Sequence, residues 1–240
     1  MPSRREILAT LTGVWLARVV HGARAAPASL QGALQARLRK LQVVSRALAR
    51  REIQPLEWQR GAAEFCAGID LSELCRAADF DRVVARLPLL PRGTSAESIQ
   101  LLEGQAFTPK IFALGKGRAI IPHGHRNMVS QHLVLQGEMH GRHYERLGDE
   151  AGHLIARPTI NRIFKAGDFS SISDQRDNVH WFVAESERAY TLDAIVDNLD
   201  PGRPYRFHID FVDPERASPG SDGALRMPRL ELDECLQRYG

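Results

Sequence analysis

Between residues 111 and 196 the chain is interrupted every few residues. Ile111 to Leu114, Ala119 to Ile121, Val129 to Gln136, Met139 to Tyr144, Ile163 to Phe164, Phe169 to Ile172, Val179 to Ala184 and Tyr190 to Val196 are eight short strand-like runs with turn residues between them. Runs of this length, bounded by Gly, Asp, Asn and Ser, read as strands rather than helices. Short strands at this spacing close into an antiparallel sandwich or barrel. The expected class is mainly β, with the strands lying within residues 99–212.

The flanks have a different texture. Leu30, Leu34, Leu38, Leu41, Val44 and Leu48 recur at helical spacing, separated by Arg37, Arg39, Lys40, Arg46 and Arg50. This predicts an amphipathic helix with one packed and one solvated face. Two shorter helices are expected over Leu56 to Cys66 and Ser72 to Leu87, with Asp70 and Ser72 as candidate caps. Residues 29–95 are thus expected to form a helical amino-terminal region, and residues 213–240 a loop-rich tail containing PERASPGSDG.

Residues 1–25 read as an export signal of the twin-arginine type: Arg4-Arg5 precedes an apolar stretch, and Ala23-Arg24-Ala25 offers a small-x-small cleavage pattern. The expected location is periplasmic or secreted, with the cytoplasm as the alternative. Arg4, Arg5, Arg18 and Arg24 against Glu6 give this segment a net charge of +3, the whole formal charge of the chain. A processed protein would be near neutral, so the basic composition makes no case for nucleic acid or an acidic membrane as partner. No apolar stretch reaches the roughly 20 residues of a membrane span. Cys66, Cys75 and Cys235 form no Cys-x-x-Cys pair, which argues against a structural zinc site. Cys66 and Cys75 read equally as a disulfide or as two small buried thiols.

The chemistry concentrates in GRAIIPHGHRNMVSQHLVLQG, from Gly117 to Gly137. Residues two apart on a strand point the same way, so His123 and His125 can offer both imidazoles to one metal ion. His180, on a later strand-like run beside Asn178 and Trp181, is a third candidate ligand. Three neutral imidazoles suit a divalent transition metal. Glycine, five residues and His-x-His form the first half of a cupin-type metal motif, in which a carboxylate stands seven residues before the second glycine. Here that place is Ser130, a poor ligand. If Ser130 faces inward, alternation turns His132 inward as well and Gln131 to the other sheet surface. His132 then reads as a fourth ligand, an acid/base group, a substrate hydrogen-bond donor or a core histidine. His140 and His143 differ by an odd number, cannot share a strand face, and are expected to be peripheral.

The run HGHRNMVSQHLVLQGEMHGRHYERL resembles the three-histidine thiol dioxygenases of the cupin superfamily, especially the cysteamine dioxygenase and plant cysteine oxidase branch. Met139, His140, Arg142 and Tyr144 match its Met/Leu-His-x-Lys/Arg-x-Tyr pattern, and DNVHWFVAESERAYTLDAIVDNL its later Gly-Asn-x-His and Leu-Asp segments. The similarity covers roughly residues 105–212. It implies a double-stranded jelly-roll barrel and Fe(II) held by His123, His125 and His180, with Mn, Ni and Zn as alternatives. It further implies Asp193 as the strand aspartate, Tyr205 as a pocket tyrosine, and dioxygen with a small substrate, a thiol among the candidates, as partners. His132 has no counterpart in that branch, and the stretch from Val196 to Pro204 is longer than its pattern. The functional expectation is a non-haem iron dioxygenase with His132, Asp193 and Tyr205 as candidate catalytic residues. The alternative is a non-catalytic periplasmic cupin that binds a metal or ligand.

Overall fold

The computed structural model describes residues 32–240. The expected export signal lies outside the described residues. Four helices come first: α1 (Gly32–Ala49), α2 (Pro55–Cys66), α3 (Leu71–Ala77) and α4 (Phe80–Arg86). The α1 stripe buries Leu34, Leu38, Leu41 and Leu48 as its spacing predicts. Each such side chain contributes roughly 1.5–3 kcal/mol on leaving water. The Asp70 carboxylate accepts the Glu73 amide at 3.0 Å and caps α3, whereas Ser72 lies inside the helix. The single helix expected to Leu87 is two, because Asp79 adopts a left-handed φ of 51° between them. A short polar side chain tolerates that conformation better than its apolar neighbours would.

Twelve strands follow: β1 (Ser95–Ser98), β2 (Thr108–Gly115), β3 (Ala119–Arg126), β4 (Met128–Gln136), β5 (Glu138–Glu150), β6 (His153–Lys165), β7 (Phe169–Ile172), β8 (Val179–Ala184), β9 (Arg188–Asp197), β10 (His208–Val212), β11 (Ser218–Pro219) and β12 (Leu225–Leu230). The eight runs expected from the sequence all fall within β2 to β9. Their pairing is nested: β5 with β6, β4 with β7, β3 with β8 and β2 with β9, all antiparallel. That is one long hairpin rolled on itself. It gives two sheets, ordered β1-β2-β9-β4-β7 and β10-β3-β8-β5-β6-β12-β11, and the double-stranded jelly roll expected of a cupin-type barrel.

The helices cover the outer face of the first sheet. Val129, Leu133 and Leu135 of β4 point to them, while Ser130, His132 and Val134 point into the barrel. Both faces of β4 are therefore buried, its polar Ser130, Gln131 and His132 included. Gln131 faces the helix side, as alternation predicts, and is itself buried.

The carboxyl-terminal segment corrects an expectation. Residues 213–240 carry β11, β12 and a closing helix, α5 (Leu232–Tyr239), rather than a loop-rich tail. Cys235 and Tyr239 of α5 pack with Ala119, Ile121 and Trp181 on the outer face of the second sheet, Leu232 and Leu236 beside them. The i, i+3, i+4, i+7 spacing of those four residues is a helix signal. All three cysteines are free thiols, so Cys66 and Cys75 are unbridged. Among the described residues no helix is long and apolar enough to cross a membrane.

Candidate metal centre

The centre is built by a defect in β3. Ile120 points into the barrel and Ile121 outward to α5, so strict alternation would turn His123 outward too. The register with β8 shifts between Ile120, opposite Phe182, and His123, opposite His180, leaving Ile121 and Pro122 against Trp181 alone. This bulge restores the inward direction for His123 and, two residues on, His125. Pro122 has no amide hydrogen to leave unpaired, which suits the position. The bulge also holds a ring in place: the His123 Nδ1–H donates to the Ile121 carbonyl at 2.7 Å, which leaves Nε2 with the free lone pair.

His123, His125 and His180 come together as expected, with one ring nitrogen from each within 4.8 Å of the others and all three side chains buried. Their ring centroids are 4.3 to 5.2 Å apart. Gly124, between the first two, faces Asn178 so closely that an added Cβ would stand 2.9 Å from its Oδ1. The Asn178 amide in turn donates to the His125 carbonyl at 2.6 Å and to the Ser173 carbonyl at 3.0 Å, tying β3 to the approach to β8.

A row of histidines crosses the second sheet, because His123 on β3 and His143 on β5 both stand opposite His180 on β8. His143 is therefore interior, fully buried, with its ring 5.8 Å from that of His180 and its Nε2 3.1 Å from the Ser170 hydroxyl. This overturns its expected peripheral place. His140 and His143 do lie on opposite faces, and Met139, an interior residue, shares parity with His143. That parity was the available signal. His140 is the outward one and meets Asn161 at 2.6 Å.

From the opposite sheet comes His132, flanked by Ser170 on β7 and Asp193 on β9. Its ring lies 4.8 Å from that of His180. The His132 Nδ1–H donates to Asp193 Oδ2 at 2.8 Å, and the Thr191 hydroxyl donates to Asp193 Oδ1 at 2.8 Å. Two of the candidate catalytic residues thus form one buried pair. Tyr205 stands elsewhere: with His125, Arg126, Asn127, Arg146, Asp174, Asn178 and Arg203 it lines a pocket of about 90 Å³ beside the centre. Asn127, at a left-handed φ of 64°, donates its amide to the Tyr205 carbonyl at 3.2 Å and so fixes the long segment after β9. The arginines of this mouth were not singled out by sequence. Arg146 is held by Asp149 at 2.5 Å and Asp210 at 2.7 Å, and Arg126 by the same two carboxylates.

Burial is the dominant electrostatic influence on the histidines. It lowers His123 to about 4 and His143 to about 3, and it pushes His125 and His180 well below the ordinary imidazole range, with neighbouring imidazoles adding to the effect. Neutral imidazoles are the form that binds metal. His125 Nδ1, His180 Nδ1 and His132 Nε2 are buried without a hydrogen-bond partner. Each such orphan costs about 1–3 kcal/mol. Buried ring nitrogens without partners make a poor core, and three neutral imidazoles with a ring nitrogen each within 4.8 Å of the others are a fitting donor set for a divalent transition metal. Ser130, at the usual carboxylate position, is buried with an unpartnered hydroxyl and adds no charge.

No protein-family model matches the chain, and no curated protein matches it. Solved structures give distant likenesses. Procruciferin, an 11S globulin from Brassica napus, is 14% identical with a TM-score of 0.38, over 52% of this chain and 28% of that one. A recombinant oxalate oxidase in complex with glycolate is 19% identical with a TM-score of 0.36, over 51% of this chain and 56% of that one. An uncharacterized conserved protein with a double-stranded beta-helix domain from Klebsiella pneumoniae is 16% identical with a TM-score of 0.36, over 52% and 86%. The chain thus spans about a quarter and about half of the first two. Likenesses this low carry no argument about activity, and the jelly-roll assignment stands on the nested strand pairing.

Proposed function

We propose that this chain is a metal-dependent oxidoreductase of the cupin type, a non-haem iron dioxygenase acting on a small substrate, with a thiol as the first candidate. The observation that carries this reading is the convergence of three buried, neutral histidines, His123, His125 and His180, two of them with a ring nitrogen that finds no partner in the protein. Fe(II) bound there would supply the electrons for dioxygen chemistry, and an all-imidazole donor set leaves its full positive charge to attract an anionic ligand. The chain's own residues do the rest. His123 is held in one tautomer by the Ile121 carbonyl, and Asn178 fixes the strand that carries His125. Phe182 and Phe164 close the barrel behind His143 and keep water out from that side. The mouth lined by Arg126, Arg146, Asp174, Arg203 and Tyr205 lies beside His125, and its charged side chains of both signs favour a polar substrate. An export signal in residues 1–25 would place this chemistry in the periplasm.

The small size of that mouth favours a second reading, a cupin that binds a metal and a small ligand without turning it over. Oxygen uptake separates the two. Iron-loaded protein supplied with cysteine, cysteamine and 3-mercaptopropionate consumes oxygen with at least one of them under the first reading. Metal binding with no uptake supports the second. A chain that binds no iron from iron-rich medium sinks the first.

A further inference from the structure

We propose that α5 positions the metal centre from outside the barrel, with Cys235 as the positioning residue that fixes the peptide aiming His123. The proposal rests on the reading of His123, His125 and His180 as a metal site. A bulge disrupts the strand ladder, and buried carbonyls there need other donors. From inside the barrel, the His123 ring hydrogen goes to the Ile121 carbonyl at 2.7 Å. From outside, the Cys235 S–H donates to the Pro122 carbonyl at 3.7 Å, and that cysteine is fully buried. The Pro122 carbonyl belongs to the same planar peptide unit as the His123 nitrogen, so a donor on that oxygen restrains the direction in which the His123 side chain leaves the chain. Burial pushes the Cys235 thiol up to about 12, which keeps its hydrogen in place and the sulfur unreactive.

Tyr239 stands one turn after Cys235, on the same face of α5. Its ring meets Trp181, the residue after His180, edge to face at 5.0 Å, while the Arg142 guanidinium covers Trp181 at 4.4 Å from the ring centre. One helix face thus touches the immediate neighbours of two of the three proposed ligands. The helix is itself anchored at its far end. The Tyr239 hydroxyl donates at 2.5 Å to Oδ1 of fully buried Asp213, just beyond β10, and Arg238 stands 3.2 Å from the other oxygen. Arg118, at the turn before β3, donates to the Gly240 carbonyl at 3.1 Å. Water does not replace the thiol in so closed a contact, so a residue without a donor leaves the Pro122 carbonyl unpaired.

Co(II) binding tests this, with affinity from chelator competition, coordination geometry from visible absorption and stability from urea denaturation. Cys235→Val fills the space and has no donor. It should bind Co(II) roughly three- to tenfold more weakly than wild type, with displaced absorption bands. Cys235→Ala, smaller and equally without a donor, should do the same and serves where valine prevents folding. Cys235→Ser restores a donor and should return both readouts toward wild type. Leu34→Ala, on the helical side of the molecule, should lower the urea midpoint at least as far and leave both Co(II) readouts unchanged. Wild-type affinity and bands in a folded variant without the donor overturn the proposal. Equal weakening in Cys235→Ser, or in Leu34→Ala, also overturns it, because packing or general stability then accounts for the loss. Undiminished Co(II) binding by His180→Ala instead overturns the metal reading beneath it.

Discussion

On β8, Phe182 and His180 are two residues apart and point into the same barrel, yet they belong to opposite ends of it. Phe182 joins Phe112, Leu114, Ile120, Val134, Met139 and Phe164 in an apolar cluster, while His180 joins the other histidines. The same division recurs on other strands, with Ile120 against His123 on β3, Val134 against His132 on β4 and Met139 against His143 on β5. One end is packed carbon on carbon. The other holds nitrogens that the protein leaves without partners. Strand alternation delivers both sets of side chains inward with equal ease, so the architecture itself does not choose between packing and chemistry. What the difference teaches is a division of labour: the apolar end stabilises the fold, and this allows the histidine end to remain unsatisfied until a ligand arrives.

The sharpest way to break this division is to remove the bulge that aims the histidines. Inserting one residue between His180 and Trp181 gives Ile121 and Pro122 a partner each, returns β3 and β8 to unbroken alternation, and turns either the histidines or Ile120 and Phe182 to the wrong face. Metal content should fall to background, with a loss of several kcal/mol in urea unfolding. An insertion variant that keeps its metal would show that the bulge does not set the ligand direction.

At the apolar end, Phe182→Ala should cost about 3–5 kcal/mol, measured by urea denaturation, because Phe164, His132 and His143 all pack on that ring. Metal stoichiometry in the fraction that stays folded should not change. Equal loss of both would mean that the two ends are not separable.

A smaller effect distinguishes them by pH in the metal-free protein. Burial lowers His123 to about 4 and His143 to about 3 from the ordinary 6.5, so the unfolded chain binds protons first as pH falls. Their contribution is complete above about 6.5 and is lost progressively as pH falls toward 4 and then 3. The slope is up to about 1.4 kcal/mol per pH unit for each group. Denaturation midpoints between pH 7 and 4 check this, and His143→Phe should flatten the curve.

How much of this could be read in the sequence follows from how local each signal is. The eight barrel strands were legible because each carries its own apolar run and turn, and His123, His125 and His180 because ligand type and strand context coincide. The inward direction of His132 followed from alternation counted from Ser130. The interior place of His143 is not carried by its spacing to His140 but by its parity with the interior Met139. The bulge was hidden, since two residues facing one is a relation between strands, although Pro122 marks its place. The left-handed Asp79 that splits α3 from α4 is another break with no periodic signature. The α5 stripe was written in the sequence and was obscured by the loop-rich stretch before it.

The central claim is that His123, His125 and His180 form one metal site. Elemental analysis of untagged protein from iron-rich medium, wild type beside His180→Ala, with circular dichroism to establish folding, tests it most directly. The account predicts about one transition-metal ion per wild-type chain and background metal in a folded variant. Metal-free wild-type protein, or a variant that keeps its full complement, would contradict it.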